Sequence, residues 1–385
     1  MASDLDVTDT SADSTSDGPI VPTPDEPYVD TTWQLRESLP TYTHGAALFR
    51  EVHAESGPAD VLIRVYGFRS GTTIIEAQPT FAAAQPGGTF QNMPDRLPDL
   101  PGFYSDLVTG DMNGDGCQDL VLVGFIDQDA NPPNPSYPFK GTQATYLEQS
   151  IDAAGGCLLD FNGYTSTLFS APRITRGMEA ADLDLDGDLD LVAPAVHYTP
   201  ISGAPSGGHA APSLLLGDGN GSFVEQLGTI PDDAEMDGYA LTPCDIDSDG
   251  DLDLIEAGRR RIGLSPAVKR PRVLVNQLME TSTLTFVDAD PVQWGMPESY
   301  RTVSVTCADL DGDTEIDDLL LAHQQGEKTH LLLSDGSTFQ DASILLPNLP
   351  GNGGVDYLYG PEQTQNVSVC ALEDDFTGYM TLFFA

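Results

Sequence analysis

Asp182-Leu183-Asp184-Leu185-Asp186-Gly187-Asp188-Leu189-Asp190 has carboxylates at positions 1, 3, 5 and 9 and a glycine at position 6. Alternate side chains of a tight loop point the same way, so the first three carboxylates converge on one point. Carboxylates that close repel one another unless a cation lies among them, and flexible oxygen ligands favour Ca2+ over Mg2+. Glycine at position 6 permits the positive φ that turns the loop around the ion. The segment therefore predicts a calcium site.

The same spacing recurs along the chain, in what we call the first to fourth acidic loops. The predicted metal ligands are Asp111, Asn113, Asp115 and Asp119 in the first loop, Asp182, Asp184, Asp186 and Asp190 in the second, Asp245, Asp247, Asp249 and Asp253 in the third, and Asp309, Asp311, Asp313 and Asp317 in the fourth. The fourth loop has Thr314 where the others have glycine. We expect about four Ca2+ sites, with a degenerate copy at Glu373 and Asp375 as a candidate fifth.

With another degenerate copy, the loops begin at residues 52, 111, 182, 245, 309 and 373, which indicates a repeat architecture. Short aliphatic runs, such as 120–123, flank them and are typical of strands rather than of EF-hand helices. A second hairpin, such as 213–223, follows in each unit. Four strands per unit predict an all-β fold, a β-propeller of four-stranded blades with calcium-binding loops between the first and second strands of the blades.

With these loops, their aliphatic flanks and the turn Asp218-Gly219-Asn220-Gly221-Ser222-Phe223, the chain resembles the FG-GAP/VCBS repeat family, which builds the N-terminal β-propeller of integrin α chains. The resemblance covers roughly residues 44–385 and implies one Ca2+ in each intact loop. It implies no particular ligand, because such propellers serve adhesins, lectins and accessory domains of enzymes. The family usually has seven blades, whereas this chain has six copies of the loop.

The chain divides into two predicted parts. Residues 1–27 are rich in Asp, Ser, Thr and Pro and predict a disordered acidic tail, and residues 28–385 predict the propeller. The last unit ends after two strands, so a strand at 31–36 is expected to complete it and close a six-bladed ring; seven blades are the alternative. A polar tail before a calcium propeller is typical of an exported protein, so we expect a secreted, periplasmic or cell-surface location.

The composition is strongly acidic, with 60 acidic and 16 basic residues and a formal net charge of −44. This charge argues against nucleic acid or an anionic membrane as a partner, and halophilic adaptation is another explanation for it. No apolar run is long enough to predict a membrane span. No motif of a nucleophile elbow, a zinc protease or a phosphate loop occurs, so an enzyme is the less favoured interpretation.

Ligand residues are predicted on the face opposite the calcium loops, where long insertions and aromatic residues collect, because variable loops on a rigid scaffold often carry binding sites. The candidates are Arg259, Arg260, Arg261, Tyr104, Tyr239, Trp294, Tyr300 and Tyr357. Packing between blades is the alternative explanation for the aromatic residues. Internal charge compensation is the alternative for the basic segment 259–272.

Five cysteines occur in the chain. Cys117 and Cys157 fall in one unit and either pair or remain free. Cys244, Cys307 and Cys370 lie at or near the ends of first strands, and we interpret them as buried thiols that pack as small residues.

Together these features predict a calcium-binding extracellular β-propeller that acts as a recognition or adhesion module for a protein or glycan ligand. A polysaccharide lyase or hydrolase built on the same scaffold, and a structural domain of a larger surface assembly, are the alternatives. The sequence indicates no oligomeric state.

Overall fold

A computed structural model describes residues 47–52, 60–65, 68–70, 73–75, 79–85, 89–100, 102, 104–124, 126–128, 139–161, 165–194, 196–197, 209–260, 265–266, 268–311, 313, 317–323, 329–346, 369–373 and 380–384. The predicted tail at 1–27 and the predicted closing strand at 31–36 lie outside these residues.

The regular secondary structure of the described residues is almost entirely β-strand. The strands are β1 (Ala47–Val52), β2 (Asp60–Val65), β3 (Phe68–Ser70), β4 (Thr73–Ile75), β5 (Thr80–Gln85), β6 (Thr89–Asn92), β7 (Tyr104–Gly110), β8 (Asp119–Gly124), β9 (Ile126–Gln128), β10 (Phe139–Gly141), β11 (Ala144–Leu147), β12 (Thr165–Thr167), β13 (Glu179–Ala181), β14 (Asp190–Ala193), β15 (Val196–His197), β16 (His209–Ala210), β17 (Ser213–Gly217), β18 (Phe223–Gln226), β19 (Met236–Cys244), β20 (Asp253–Arg260), β21 (Arg272–Asn276), β22 (Phe286–Ala289), β23 (Thr302–Ala308), β24 (Asp318–His323), β25 (His330–Ser334), β26 (Phe339–Asp341), β27 (Val369–Glu373) and β28 (Met380–Phe384). A short α-helix, Leu278–Thr281, and two 3-10 turns, Pro94–Arg96 and Ser343–Leu345, complete the elements.

Antiparallel pairing groups these strands into four-stranded sheets. Blade A contains β7, β8, β11 and β12, blade B contains β13, β14, β17 and β18, blade C contains β19 to β22, and blade D contains β23 to β26. A sheet of β1, β2, β5 and β6 precedes blade A, and a hairpin of β27 and β28 follows blade D. Within each blade the strands are paired in chain order, as in a meander.

The first strands of successive sheets lie side by side. β1 adjoins β7, β7 adjoins β13, β13 adjoins β19, β19 adjoins β23, and β23 adjoins β27. Each of these strands is an edge strand of its own sheet, so the sheets radiate from a shared axis lined by first strands. This is the arrangement of a β-propeller, which confirms the predicted fold class in its general form.

The hydrophobic core lies between the blades. One cluster joins Val121 and Tyr146 of blade A to Leu191 and Leu215 of blade B, and corresponding clusters join blade B to blade C and blade C to blade D. Every residue of β8 and of β24 is buried, because a neighbouring blade covers each face of a sheet. This explains why the second strands are continuous aliphatic runs rather than alternating ones.

The two ends of the blades differ, as predicted. The acidic loops follow the first strands, where Gly110 pairs with Asp119 and Ala181 pairs with Asp190. The hairpins β3–β4, β9–β10 and β15–β16 extend the connections between second and third strands at the opposite end. We call these ends the acidic-loop face and the insertion face.

The predicted count of six blades is supported only in part. Blades A to D are the four complete blades in the described part of the chain, which gives four rather than six. The sheet before blade A and the hairpin after blade D are described by their strand pairing. The strand that would complete the last blade lies outside the described residues, so ring closure remains a prediction.

The described residues contain two disulfides, and one of them shows that a prediction from the sequence was wrong. Cys117 and Cys157 are bonded, with their Cα atoms 5.6 Å apart. Cys244 and Cys307, expected to be free thiols, are bonded to each other, with their Cα atoms 5.9 Å apart. The first strands of blades C and D converge towards the axis, which brings two cysteines 63 positions apart within disulfide distance. The side chain of Cys370 lies outside the described residues.

Candidate metal centre

Carboxylate groups converge in three of the four acidic loops. One ligand oxygen from each member lies within 4.8 Å of the others in the groups Asp182, Asp184 and Asp190; Asp245, Asp247 and Asp249; and Asp309, Asp311 and Asp313. Calcium binds its oxygen ligands at 2.3–2.6 Å, so the ligands around one ion lie within about 5 Å of one another. The second, third and fourth loops therefore gather oxygen ligands at the spacing that one Ca2+ requires.

The first acidic loop has the same backbone path with a weaker ligand set. Position 3 is Asn113, whose Oδ1 accepts the N–H of Asp115 at 3.1 Å and whose Nδ2 donates to Asp115 at 3.1 Å. Asn113 offers a neutral amide oxygen where the other loops offer a carboxylate. This loop therefore attracts a cation less strongly than the second and third.

The carboxylate at position 1 organises each of the first three loops. In the second loop, Asp182 accepts the N–H groups of Asp186 and Gly187 at 3.1 and 3.0 Å. Asp111 and Asp245 accept the equivalent pairs of N–H groups in the first and third loops. These hydrogen bonds hold position 1 against the loop backbone and give three separate sequences one conformation.

Glycine at position 6 has the backbone conformation predicted for it. Gly116, Gly187 and Gly250 have φ values of 88°, 98° and 98°. A Cβ atom at any of the three would meet nothing within 4 Å, so the requirement is conformational rather than steric. Position 4 is also left-handed, with φ of 59° at Leu185 and 58° at Ser248, which the sequence spacing did not predict.

The aspartate at position 9 joins each loop to the third strand of its blade. Asp190 accepts the N–H of Leu183 in the loop and the N–H of Gly217 at the end of β17, each at 2.9 Å. The same two bonds recur from Met112 and Gln149 to Asp119, and from Ile246 and Asn276 to Asp253. One buried carboxylate therefore fixes both the loop and the adjoining strand in each blade.

In the fourth loop, the aspartate that joins the loop to the third strand lies one residue later than the spacing predicts. Asp318 accepts the N–H of Leu310 at 2.8 Å and that of Ser334 at 2.8 Å, and it pairs with Ala308 in the sheet. Asp317, the predicted position 9, is buried beside it. The fourth loop is thus one residue longer, and the sequence analysis missed Asp318 because two aspartates are adjacent there.

Burial without a compensating positive charge raises the pKa of several of these carboxyl groups. Burial raises the pKa of Asp119 and of Asp190 to about 6, and that of Asp253 to about 8, although backbone hydrogen bonds act in the opposite direction. Burial, followed by the charges of Asp249 and Asp245, raises the pKa of Asp247 to about 6. The protein alone therefore disfavours the ionised loops, and a cation among the carboxylates would reverse that preference.

The third loop supplies a direct test of whether a metal fits. Asp247 Oδ1 is buried and has no hydrogen-bond partner among the described residues. A buried carboxylate oxygen is normally satisfied by a donor or a cation. Hard oxygen ligands, a missing donor and converging carboxylates together suit Ca2+.

Two of the predicted ligand-binding aromatic residues pack against the hydrophobic core. The Tyr104 hydroxyl donates to the carbonyl of Leu100 at 2.6 Å, and its ring is buried in a hydrophobic cluster. Trp294 is partly buried and packs on Phe339, with ring centroids 5.9 Å apart, against the core between blades C and D. For both residues packing explains the side chain, as the alternative interpretation proposed.

A second pair lies near the axis on the insertion face. Tyr239 is buried, with the guanidinium carbons of Arg176 and Arg301 at 4.2 and 5.5 Å from its ring centroid. Tyr300 is adjacent in sequence to Arg301 and is 38% exposed. The sequence analysis missed both arginines, because they come from different repeats and share no motif. Tyr357 and Arg261 lie outside the described residues.

The basic segment is neutralised within the protein. The ion pairs are Arg259 with Asp237, Arg260 with Glu235, Lys269 with Asp233, Arg270 with Glu298, and Arg272 with both Glu256 and Asp288. Asp237 and Arg272 are buried. Five of the six basic residues thus have acidic partners, which favours internal charge compensation over an exposed positive patch.

Comparison with known proteins adds no identification. No protein-family model matches the chain, and no curated protein matches it either. The class that the described residues define is an all-β, propeller-like protein with repeated acidic loops. None of its described helices has the length and apolar character needed to cross a membrane.

Proposed function

We propose that this protein is an extracellular calcium-binding β-propeller that acts as a recognition or adhesion module. The observation that carries the proposal is the gathering of three carboxylates within 4.8 Å in each of three loops, on one shared backbone design. Each of the four acidic loops binds Ca2+ in this proposal. The resemblance to FG-GAP/VCBS repeats belongs to the proposal and rests on the same loops.

The proposed propeller has six blades. Support comes from the unbroken series of adjoining first strands from β1 to β27, which implies six successive units. In this proposal, segment 31–36 joins the β27–β28 hairpin and closes the ring. The acidic loops adjoin the first strands, which line the axis of the ring. Calcium bound in the loops would therefore also stabilise the closed ring.

Two features support an extracellular location. The disulfides Cys117–Cys157 and Cys244–Cys307 are typical of proteins that mature in an oxidising compartment. Calcium sites of extracellular modules have dissociation constants of about 10⁻⁴–10⁻³ M, which suits the millimolar calcium found outside cells.

The insertion face is the proposed ligand surface. The cation–π cluster of Tyr239, Arg176 and Arg301 forms a rigid centre there, and exposed Tyr300 lies next to it in sequence. Calcium on the opposite face holds the first strands in place, so it acts on ligand binding indirectly. The ligand is a protein or a glycan.

The test is binding of the whole chain to a glycan array and to immobilised extracellular matrix proteins, in calcium and in EDTA. We expect calcium-dependent binding to one ligand class, weakened by Tyr300→Ala. The matched control is Val224→Ala, which removes an exposed side chain from the outer strand of blade B and should leave binding unchanged. Cleavage of a bound polysaccharide would replace this proposal with an enzyme, and absence of any binding would contradict it.

A further inference from the structure

The third acidic loop has a neighbour that the other described loops lack. The short helix Leu278–Thr281 follows the third strand of blade C and lies against the loop, where the Met279 N–H donates to Asp251 Oδ2 at 2.9 Å. This contact holds position 7 of the loop beside the helix. It also brings an acidic side chain of the helix, Glu280, close to the loop.

A second carboxylate group results from this packing. Asp249, Asp251 and Glu280 each offer one oxygen, and these oxygens lie within 4.8 Å of one another. Asp249 also belongs to the group with Asp245 and Asp247. The loop therefore carries two overlapping groups of three carboxylates that share one residue.

Each group contains a buried carboxylate oxygen that no described residue satisfies. Asp251 is fully buried; its Oδ2 accepts the Met279 N–H, and its Oδ1 has no hydrogen-bond partner in the described part of the chain. Asp247 Oδ1, in the other group, is also buried and unpartnered. Protein donors usually satisfy such oxygens, and where none exists a bound cation does so. Two unsatisfied oxygens, one from each of the two overlapping groups, point to two cations.

We propose that the third loop binds two cations, the second of them held by Asp249, Asp251 and Glu280. The ligands are all hard oxygens, which favours Ca2+, and Asp249 bridges the two ions. The second site fastens the helix to the loop, so blade C has a calcium-dependent connection between the third acidic loop and the far end of its third strand. The inference rests on the proposed calcium binding at the first site of the loop.

The second acidic loop is the natural comparison. It also has an aspartate at position 7, but Asp188 lies against Gly219 in the turn of its own blade. No carboxylate group of this kind forms around Asp188 among the described residues. An acidic residue at position 7 therefore makes a second site only where Glu280 faces it.

The experiment is a terbium luminescence titration of the full-length protein, with excess calcium added afterwards to displace the probe. Tb3+ is a hard cation with the oxygen preference of Ca2+. Glu280→Gln and Glu280→Ala should each bind one terbium fewer per chain than the wild-type protein. Asp188→Asn should bind as many as the wild-type protein. Glu280 is exposed, so its replacement should leave the circular dichroism spectrum and the Tm in EDTA unchanged.

The outcomes separate this inference from the proposed function. If both Glu280 variants retain the wild-type stoichiometry and show only weaker binding, the loop holds a single ion with an additional ligand, and the second site is refuted. If the wild-type protein binds no terbium, or if Asp184→Asn with Asp186→Asn removes none, the calcium assignment of the loops fails instead.

Discussion

Asp253 has two opposed effects on stability, and their balance should depend on whether calcium is bound. Its carboxylate accepts the N–H groups of Ile246 and Asn276 at 3.1 and 2.7 Å, which stabilises the loop and the third strand of blade C. Burial, however, raises its pKa to about 8 in the protein alone. The substitution Asp253→Asn keeps the shape of the side chain and removes its charge.

The size of the pKa shift predicts whether Asp253→Asn stabilises or destabilises the protein in the absence of calcium. A carboxyl group with a raised pKa binds more protons in the folded state, so the free energy of unfolding falls as the pH rises from about 4 to about 8. At pH 7 this loss is about 4 kcal/mol, at about 1.4 kcal/mol per pH unit. Asparagine does not titrate and avoids the loss, but it leaves one buried N–H unpaired at a cost of about 1–3 kcal/mol. In EDTA, Asp253→Asn should therefore be about 1–3 kcal/mol more stable than the wild-type protein.

Calcium should reduce or reverse the difference in stability between Asp253→Asn and the wild-type protein. The ion compensates the negative charge of Asp253 in the wild-type protein. It binds more weakly to the variant, which lacks that charge. At 10 mM calcium a site with a dissociation constant of 1 mM contributes about 1.4 kcal/mol, so the wild-type protein should gain at least about 1 kcal/mol more than the variant.

The assay is urea denaturation at pH 7 in EDTA and in 10 mM calcium chloride, followed by tryptophan fluorescence. Asp188→Asn in the second loop serves as the control and should change neither value by more than about 0.5 kcal/mol. A variant that is less stable than the wild-type protein in EDTA, or that gains as much from calcium, would refute this account of Asp253.

Three further predictions concern the scaffold. Replacing both Cys244 and Cys307 with serine removes a disulfide that links residues 63 positions apart. The free energy of unfolding in urea should fall by about 4 kcal/mol, because the unfolded chain loses this constraint. No change would show that the two cysteines do not pair. Gly250→Ala places a Cβ at φ 98° and should cost about 1–2 kcal/mol in the same assay, whereas a neutral effect would contradict the loop conformation. His323 is buried, with its pKa lowered to about 3 by burial and then by His330, so the folded state binds fewer protons than the unfolded one. Stability should thus fall as the pH drops below about 6.5, by about 2 kcal/mol at pH 5, and His323→Gln should lose this dependence in a pH series of melting curves.

The acidic loops made much of the fold predictable from the sequence. Their spacing reports local backbone geometry, since glycine at position 6 and acids at positions 1, 3 and 5 act within nine residues. The aliphatic runs behind them report burial between blades. Both signals are local, and the structure bears out the strands, the position of the loops and the four-stranded units that they indicate.

Features that depend on contacts between repeats could not be read in this way. The Cys244–Cys307 bond depends on how closely two first strands approach at the axis. The cluster around Tyr239 gathers residues from three blades or their flanks. Likewise, the pairing of segment 259–272 with acidic partners depends on acids that lie up to 36 positions away, as Asp233 does from Lys269.

The central claim, that calcium in the acidic loops stabilises this propeller, is tested most directly by scanning calorimetry of the whole chain in EDTA and in 10 mM calcium chloride. Four sites with dissociation constants of about 1 mM would contribute about 6 kcal/mol together. If the proposed propeller unfolds as one unit of about 340 residues, this corresponds to a rise in Tm of roughly 8 °C. We predict a rise of that order in calcium and a much smaller one in magnesium. An identical Tm in EDTA and in calcium would contradict the claim.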